Sequence, residues 1–222
     1  MNAITPRLIR KELHLNRELM AAVTVAGLAG VYLASTSQMG FNLGMLSWMT
    51  CLIALAVILS LNGVVQERKD RASLFMMSLP ISAEEHLAAK QTGLIVCFLV
   101  PWMVLTAAAA LLIVLSPGVK DGVLPFALLL SVFMFVDFLV ILAGVLLLRS
   151  DALIGVVIIL TNMSLSVFMM IVGDLPVMKG QWSREQPLWN QEFWSVLAIE
   201  CVVMAIAIAL PRIVVARRKT WV

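Results

Sequence analysis

Charge is scarce in this chain. Asp, Glu, Lys and Arg make up 13% of its 222 residues, where soluble domains run at about 25%. Apolar residues make up 62%, and the mean hydropathy is +1.01. No soluble fold hides that much apolar surface, so the expected solvent is the bilayer. Histidine is nearly missing. His14 and His86 both fall in segments expected outside the membrane, which excludes a haem- or zinc-ligating pair within it. Cys51, Cys97 and Cys201 lie in apolar runs with no metal or redox spacing and read as small apolar fillers. No Gly-x-x-x-x-Gly-Lys-Ser/Thr occurs, so the chain does not bind ATP through a Walker A loop. Gly-x-Ser-x-Gly and His-Glu-x-x-His are also absent, which leaves no visible nucleophile–base set for an intramembrane hydrolase. No catalytic or metal-ligating residue is assigned.

What the chain does have is apolar runs. A helix needs about 20 apolar residues to cross the hydrocarbon core. Six runs qualify: Leu19–Ser37, Leu43–Val65, Thr92–Leu115, Leu124–Leu148, Ala152–Val172 and Phe193–Val215. Backbone groups in lipid must be satisfied internally, which favours helices. The runs are continuous and not alternating, which excludes a β-barrel. The expected fold is an all-α integral membrane protein of six transmembrane helices, one transmembrane domain over residues 1–222. The first run lacks a small-residue cleavage site and reads as a retained helix.

Lys and Arg set the orientation. With the N-terminus inside, the inner segments hold Arg7, Arg10, Lys11, Arg17, Arg68, Lys69, Arg71, Lys90, Arg149, Arg212, Arg217, Arg218 and Lys219. The outer loops hold Lys120, Lys179 and Arg184. Both termini are therefore expected in the cytoplasm. The cations are spread over several loops, which argues against nucleic-acid binding. Leu8, Ile9, Leu13 and Leu15 stand among the charges of the first segment. They suit either a short interfacial helix or a plain extension of the first span. The outer loop, residues 173–192, carries Trp182 and Trp189, with Trp194 just beyond. These read as an interfacial aromatic belt in preference to a substrate-stacking group.

The long polar interruption in the first half is residues 66–91. Glu67, Arg68, Lys69, Asp70 and Arg71 mark the water boundary. Asp70 to Leu79 contains no Gly or Pro and predicts a short helix, on which Phe75 and Leu79 share a face with Met76 adjacent. Pro80 ends it. Ser82 and Glu85 form a capping box that starts a second helix at Ala83, running through Lys90 into the third span. The Leu74, Phe75, Met76, Met77 patch is rimmed by charge. It suits docking of a protein partner or contact with the lipid surface.

This loop carries a family resemblance. Glu67-Arg68, then an apolar stretch, then Ser78-Leu79-Pro80-Ile81-Ser82 and Lys90 resemble the ABC-2 family of transporter permeases. The opening Leu8-Ile9-Arg10-Lys11-Glu12-Leu13 is similar to that family's N-terminus. The resemblance spans the whole six-helix layout and implies the ABC-2, type V exporter-like permease fold. It implies that Asp70, Arg71, Leu74, Phe75, Met76, Met77 and Leu79 form a coupling helix seated in a groove of a separate ATP-binding cassette ATPase. ATP and Mg would then sit on that partner, with no cofactor on this chain. Glu67, Pro80, Ser82, Glu85 and Lys90 would set the loop architecture. It further implies a second permease copy or a paralogue, and a bacterial inner-membrane location.

Asp137, Asn162 and Glu200 stand out among the polar groups inside the spans. An ionised Asp137 near the middle of the fourth run would cost about 3 kcal/mol by insertion scales, so it must face other helices, protonate or pair. It reads either as a pathway or coupling residue or as a buried helix–helix hydrogen bond. Asn162, with Ser164 and Ser166, reads as helix glue. Glu200 falls about two turns into the sixth run. Two functions are consistent with these features: the permease of an ATP-driven exporter, or a non-ATPase membrane protein using Asp137 and Glu200. The transported substrate is not written in the spans.

Overall fold

The computed structural model describes residues 4–66, 83–116, 119–175, 178–180 and 183–217. Within these residues the chain forms six long helices: α1 Ile4–Ala34, α2 Gln38–Ser60, α3 Ala83–Leu115, α4 Leu124–Leu147, α5 Asp151–Asp174 and α6 Gln191–Arg217. Each is long and apolar enough to cross a bilayer. A π-helical stretch, Leu61–Gln66, continues α2, and a short 3₁₀ turn, Asp121–Val123, precedes α4.

The first helix settles one of the open readings. Residues 4–34 form a single helix, so the Leu8–Leu15 stretch extends the first span and is not a separate interfacial piece. Its basic residues Arg7, Arg10, Lys11 and Arg17 are exposed, while Glu12 and Asn16 are buried. Glu12 and Asn16 are four apart and share a face, and that face is turned into the bundle.

Packing follows from side-chain size. α1 and α2 make an antiparallel hairpin closed by Ser35–Ser37. Ser37 caps α2 by accepting from the Gly40 backbone N–H at 3.0 Å, as short hydroxyl residues do at helix starts. The two helices cross where Gly30 meets Gly44. A Cβ on Gly44 would fall against the Gly30 carbonyl oxygen and within 2.6 Å of both the backbone N and the Cβ of Ala34. Only a residue without a side chain allows that approach, the small-residue packing on which membrane helices rely.

α4 is the central element. It packs against α2, α3, α5 and α6, and 67% of its apolar stretch is buried, against 17% for α5 and for α6. Aromatic contacts fix it. Phe138 stacks on Phe98 of α3 with ring centroids 4.2 Å apart and planes within 7°. Phe133 stacks on Phe168 of α5 at 4.1 Å. Trp102 of α3 donates its indole N–H to the Ser131 carbonyl at 2.7 Å, and the Thr106 and Ser131 hydroxyls are hydrogen-bonded. Buried polar groups must find partners where no water is available, and these do so between α3 and α4. At the α6 start, Trp189, Phe193 and Trp194 meet edge to face. Phe193 is buried while Trp189 and Trp194 are exposed.

Candidate functional site

At the end of the bundle where α2 stops and α3 begins, two polar contacts tie α3 to its neighbours: buried Lys90 meets buried Glu12 of α1, and buried Gln91 meets the exposed Arg212 of α6. Lys90 is eight residues, about two turns, into α3. Its Nζ lies 2.8 Å from Glu12 Oε1 of α1. Both are buried: Glu12 is 3% exposed and Lys90 7%. Asn16 donates its side-chain amide to the Glu12 carbonyl at 2.9 Å. Gly93 makes room for this contact, because a Cβ there would stand 2.9 Å from Glu12 Cγ.

The next residue reaches the other way. Gln91, 1% exposed, donates its Nε2 to the Ile208 carbonyl of α6 at 3.1 Å. Its Oε1 accepts from Arg212 Nε at 2.9 Å. This bond falls where Pro211 interrupts α6: having no N–H, the proline leaves the Ala207 carbonyl without its helical donor, and the neighbouring Ile208 carbonyl uses a lone pair to accept from Gln91. The guanidinium is always charged, and hydrogen bonds to charged groups are the stronger kind. Among the described residues, Glu12 Oε2 has no hydrogen-bond partner, so the Lys90 contact carries that carboxylate.

The intramembrane acids sit elsewhere. Asp137 is 5% exposed. It lies four residues after Phe133, on the side of α4 that stacks against α5. Glu200 is 4% exposed, and neither carboxylate oxygen has a hydrogen-bond partner among the described residues. Asn162 donates to the Ile158 carbonyl of its own helix at 2.7 Å, and Ser164 to the Thr161 carbonyl of the same helix at 2.6 Å. These two bonds stay within α5 and join it to nothing.

Of the loop residues singled out from sequence, Glu67, Asp70, Arg71, Leu74, Phe75, Met76, Met77, Leu79, Pro80 and Ser82 lie outside the described residues, as does Trp182 of the outer loop. Glu85 is exposed on the first turn of α3, and Lys90 is buried on the same helix. The family model described as "ABC-2 family transporter protein" matches residues 7–215. The chain belongs to the ABC-2 transporter family. Comparisons with curated proteins and with solved structures give no match.

For this ABC-2 protein, six apolar helices and the family together make it a multi-pass membrane protein. The sequence marks this polar group only in part: Lys90 stands out as a loop residue, Glu12 and Arg212 enter only through the N-terminal motif and the cation distribution, and Gln91 carries no mark. A signal for Glu12 existed, because Glu12 and Asn16 fall on the stripe of α1 that also carries Ile9 and Leu13, away from the Arg7, Arg10 and Arg17 face. Nothing comparable marked Gln91, whose partners are 117 and 121 residues away.

Proposed function

We propose that the chain is the permease subunit of an ATP-driven exporter, moved by a separate ATP-binding cassette ATPase that docks on residues 66–91. The observation that carries the reading is the family match over residues 7–215. The placement of the buried polar group supports it, because Lys90 and Gln91 stand about two turns from the start of α3, next to the proposed docking segment. In this reading both termini and the 66–91 loop face the cytoplasm of a bacterial cell, and ATP and Mg are held by the partner. The 13-to-3 division of Lys and Arg between the two ends supports that orientation.

One chain supplies six helices, with α5 and α6 mostly uncovered. A second copy or a paralogous permease completes the pathway in this proposal, with lipid on the remaining faces. The test is co-purification of the tagged chain with an ATPase from its native membrane, paired with Phe75→Asp. The substitution puts a charge in the apolar docking patch and is expected to abolish co-purification while leaving the chain in the membrane. An ATPase that stays bound to Phe75→Asp removes the patch from the interface. A chain that never brings down an ATPase sinks the reading as a whole. Direction is read separately, by ATP-dependent accumulation in inverted vesicles.

A further inference from the structure

Lys90 and Gln91 are consecutive on α3, so their side chains leave the helix about 100° apart. Lys90 takes hold of α1 through Glu12 at 2.8 Å. Gln91 takes hold of α6 at two points, the Ile208 carbonyl and the Arg212 guanidinium. Both have faces left uncovered, although α1 also packs closely along α3. Buried shares are 22% for the apolar stretch of α1 and 17% for that of α6, and α6 leans mainly on α4 and only lightly on α3. Apolar packing alone would leave α6 following α4. The Gln91 contacts change that, because a buried polar group that loses its partner in a low-dielectric setting carries the full desolvation penalty.

We propose that Lys90 and Gln91 are positioning residues of transport: a two-armed tie by which α3 carries both α1 and α6 when its cytoplasmic end is displaced. The ATPase-docking reading supplies what displaces α3; the tie itself is a property of this chain. The consequence is a division of the bundle. A pull on the start of α3 moves α1 and α6 with it, on opposite sides, while α4 is linked to α3 through aromatic and hydroxyl contacts further along and α5 is stacked on α4.

Two variants separate the arms. Glu12→Met with Lys90→Met removes both buried charges together and cuts the α1 arm; Gln91→Leu cuts the α6 arm. In the permease alone, held in lipid nanodiscs, hydrogen–deuterium exchange is expected to rise in the N-terminal half of α1 for the first variant and in the C-terminal half of α6 for the second. Unchanged exchange in both overturns the tie whether or not an ATPase is found. In the permease–ATPase complex, ATP with vanadate is expected to alter exchange in both regions of the wild type. That response should shrink about fivefold or more in α1 only for the double variant and in α6 only for Gln91→Leu, the lower end of ordinary coupling between linked sites. ATPase co-purification should stay at the wild-type value in both variants, and the thermal midpoint should do so in the double variant; Gln91→Leu, which strips the Ile208 carbonyl and Arg212 of a partner, is expected to lower its midpoint without touching the α1 response. Wild-type responses in both variants overturn the positioning role. Equal loss in both regions together with a lowered midpoint also overturns it, since that is the signature of general loosening.

Discussion

Lys90→Met leaves the Glu12 carboxylate 3% exposed, without its cation, and with Oε2 already lacking a partner among the described residues. Removing one member of a buried ion pair costs about 3–5 kcal/mol. Methionine matches the lysine stem in length, so little of that cost comes from lost packing. Adding Glu12→Met removes the stranded charge. Methionine is unbranched and retraces the glutamate stem past Gly93, whose missing Cβ leaves that path open. Replacing a whole buried pair by apolar side chains is often neutral or stabilising, so the double variant is expected within about 1 kcal/mol of wild type. Its coupling energy is then at least about 3 kcal/mol. The chain supplies its own control. The Lys120–Glu185 pair has side chains 48% and 84% exposed, and exposed pairs contribute about 0–1 kcal/mol. The assay is reversible denaturation in mixed micelles, followed by tryptophan fluorescence. If Lys90→Met costs no more than Lys120→Met, the Glu12–Lys90 contact is wet and the argument from burial fails.

Gly44→Val at the α1–α2 crossing forces a side chain onto the Ala34 backbone and is expected to cost about 1–3 kcal/mol in the same denaturation assay; a wild-type midpoint would mean the helices cross elsewhere. Gly155→Ala on α5 meets nothing within 4 Å, so it is expected to be neutral or to gain up to about 1 kcal/mol from helix propensity. Glu200→Leu removes a buried carboxylate with no partner among the described residues and should raise stability by about 1–3 kcal/mol. If it instead lowers stability, Glu200 has a partner in the folded protein. If it raises stability and abolishes ATP-dependent accumulation in inverted vesicles, the acid is retained for transport.

The six helices were legible because the bilayer demands them. Each run must supply about 20 apolar residues and satisfy its own backbone, and no tertiary contact can overrule that. The polar tie was not legible, for an equally physical reason. Glu12 and Lys90 are 78 residues apart, and composition says which residues need partners without saying which partners they find. Asn162 shows the other side of that limit. Its type and position suited a bond between helices, yet a side-chain amide can equally donate to the carbonyl one turn back, and it does so at Ile158. α1 falls between these cases. Its length was obscured by the charges around Leu8 to Leu15, because a single helix can have a cationic face in water and a stripe in the bundle at once, as Arg10 and Glu12 do two residues apart.

Trp102, Thr106 and Ser131 are tolerated deep in the bundle because α3 and α4 run close enough for them to reach one another. The Glu12–Lys90 ion pair and the Gln91–Arg212 bond lie instead at the end of the bundle, where each side chain finds a partner from another helix. The division is energetic. A neutral hydroxyl bond adds about 1 kcal/mol and can be broken and remade during a conformational cycle. An ion pair that costs about 3–5 kcal/mol to leave half-made cannot, so the helices it joins must move together. In the proposed tie, that difference puts the rigid linkage at the start of α3 and leaves sliding to the apolar and hydroxyl contacts along α4.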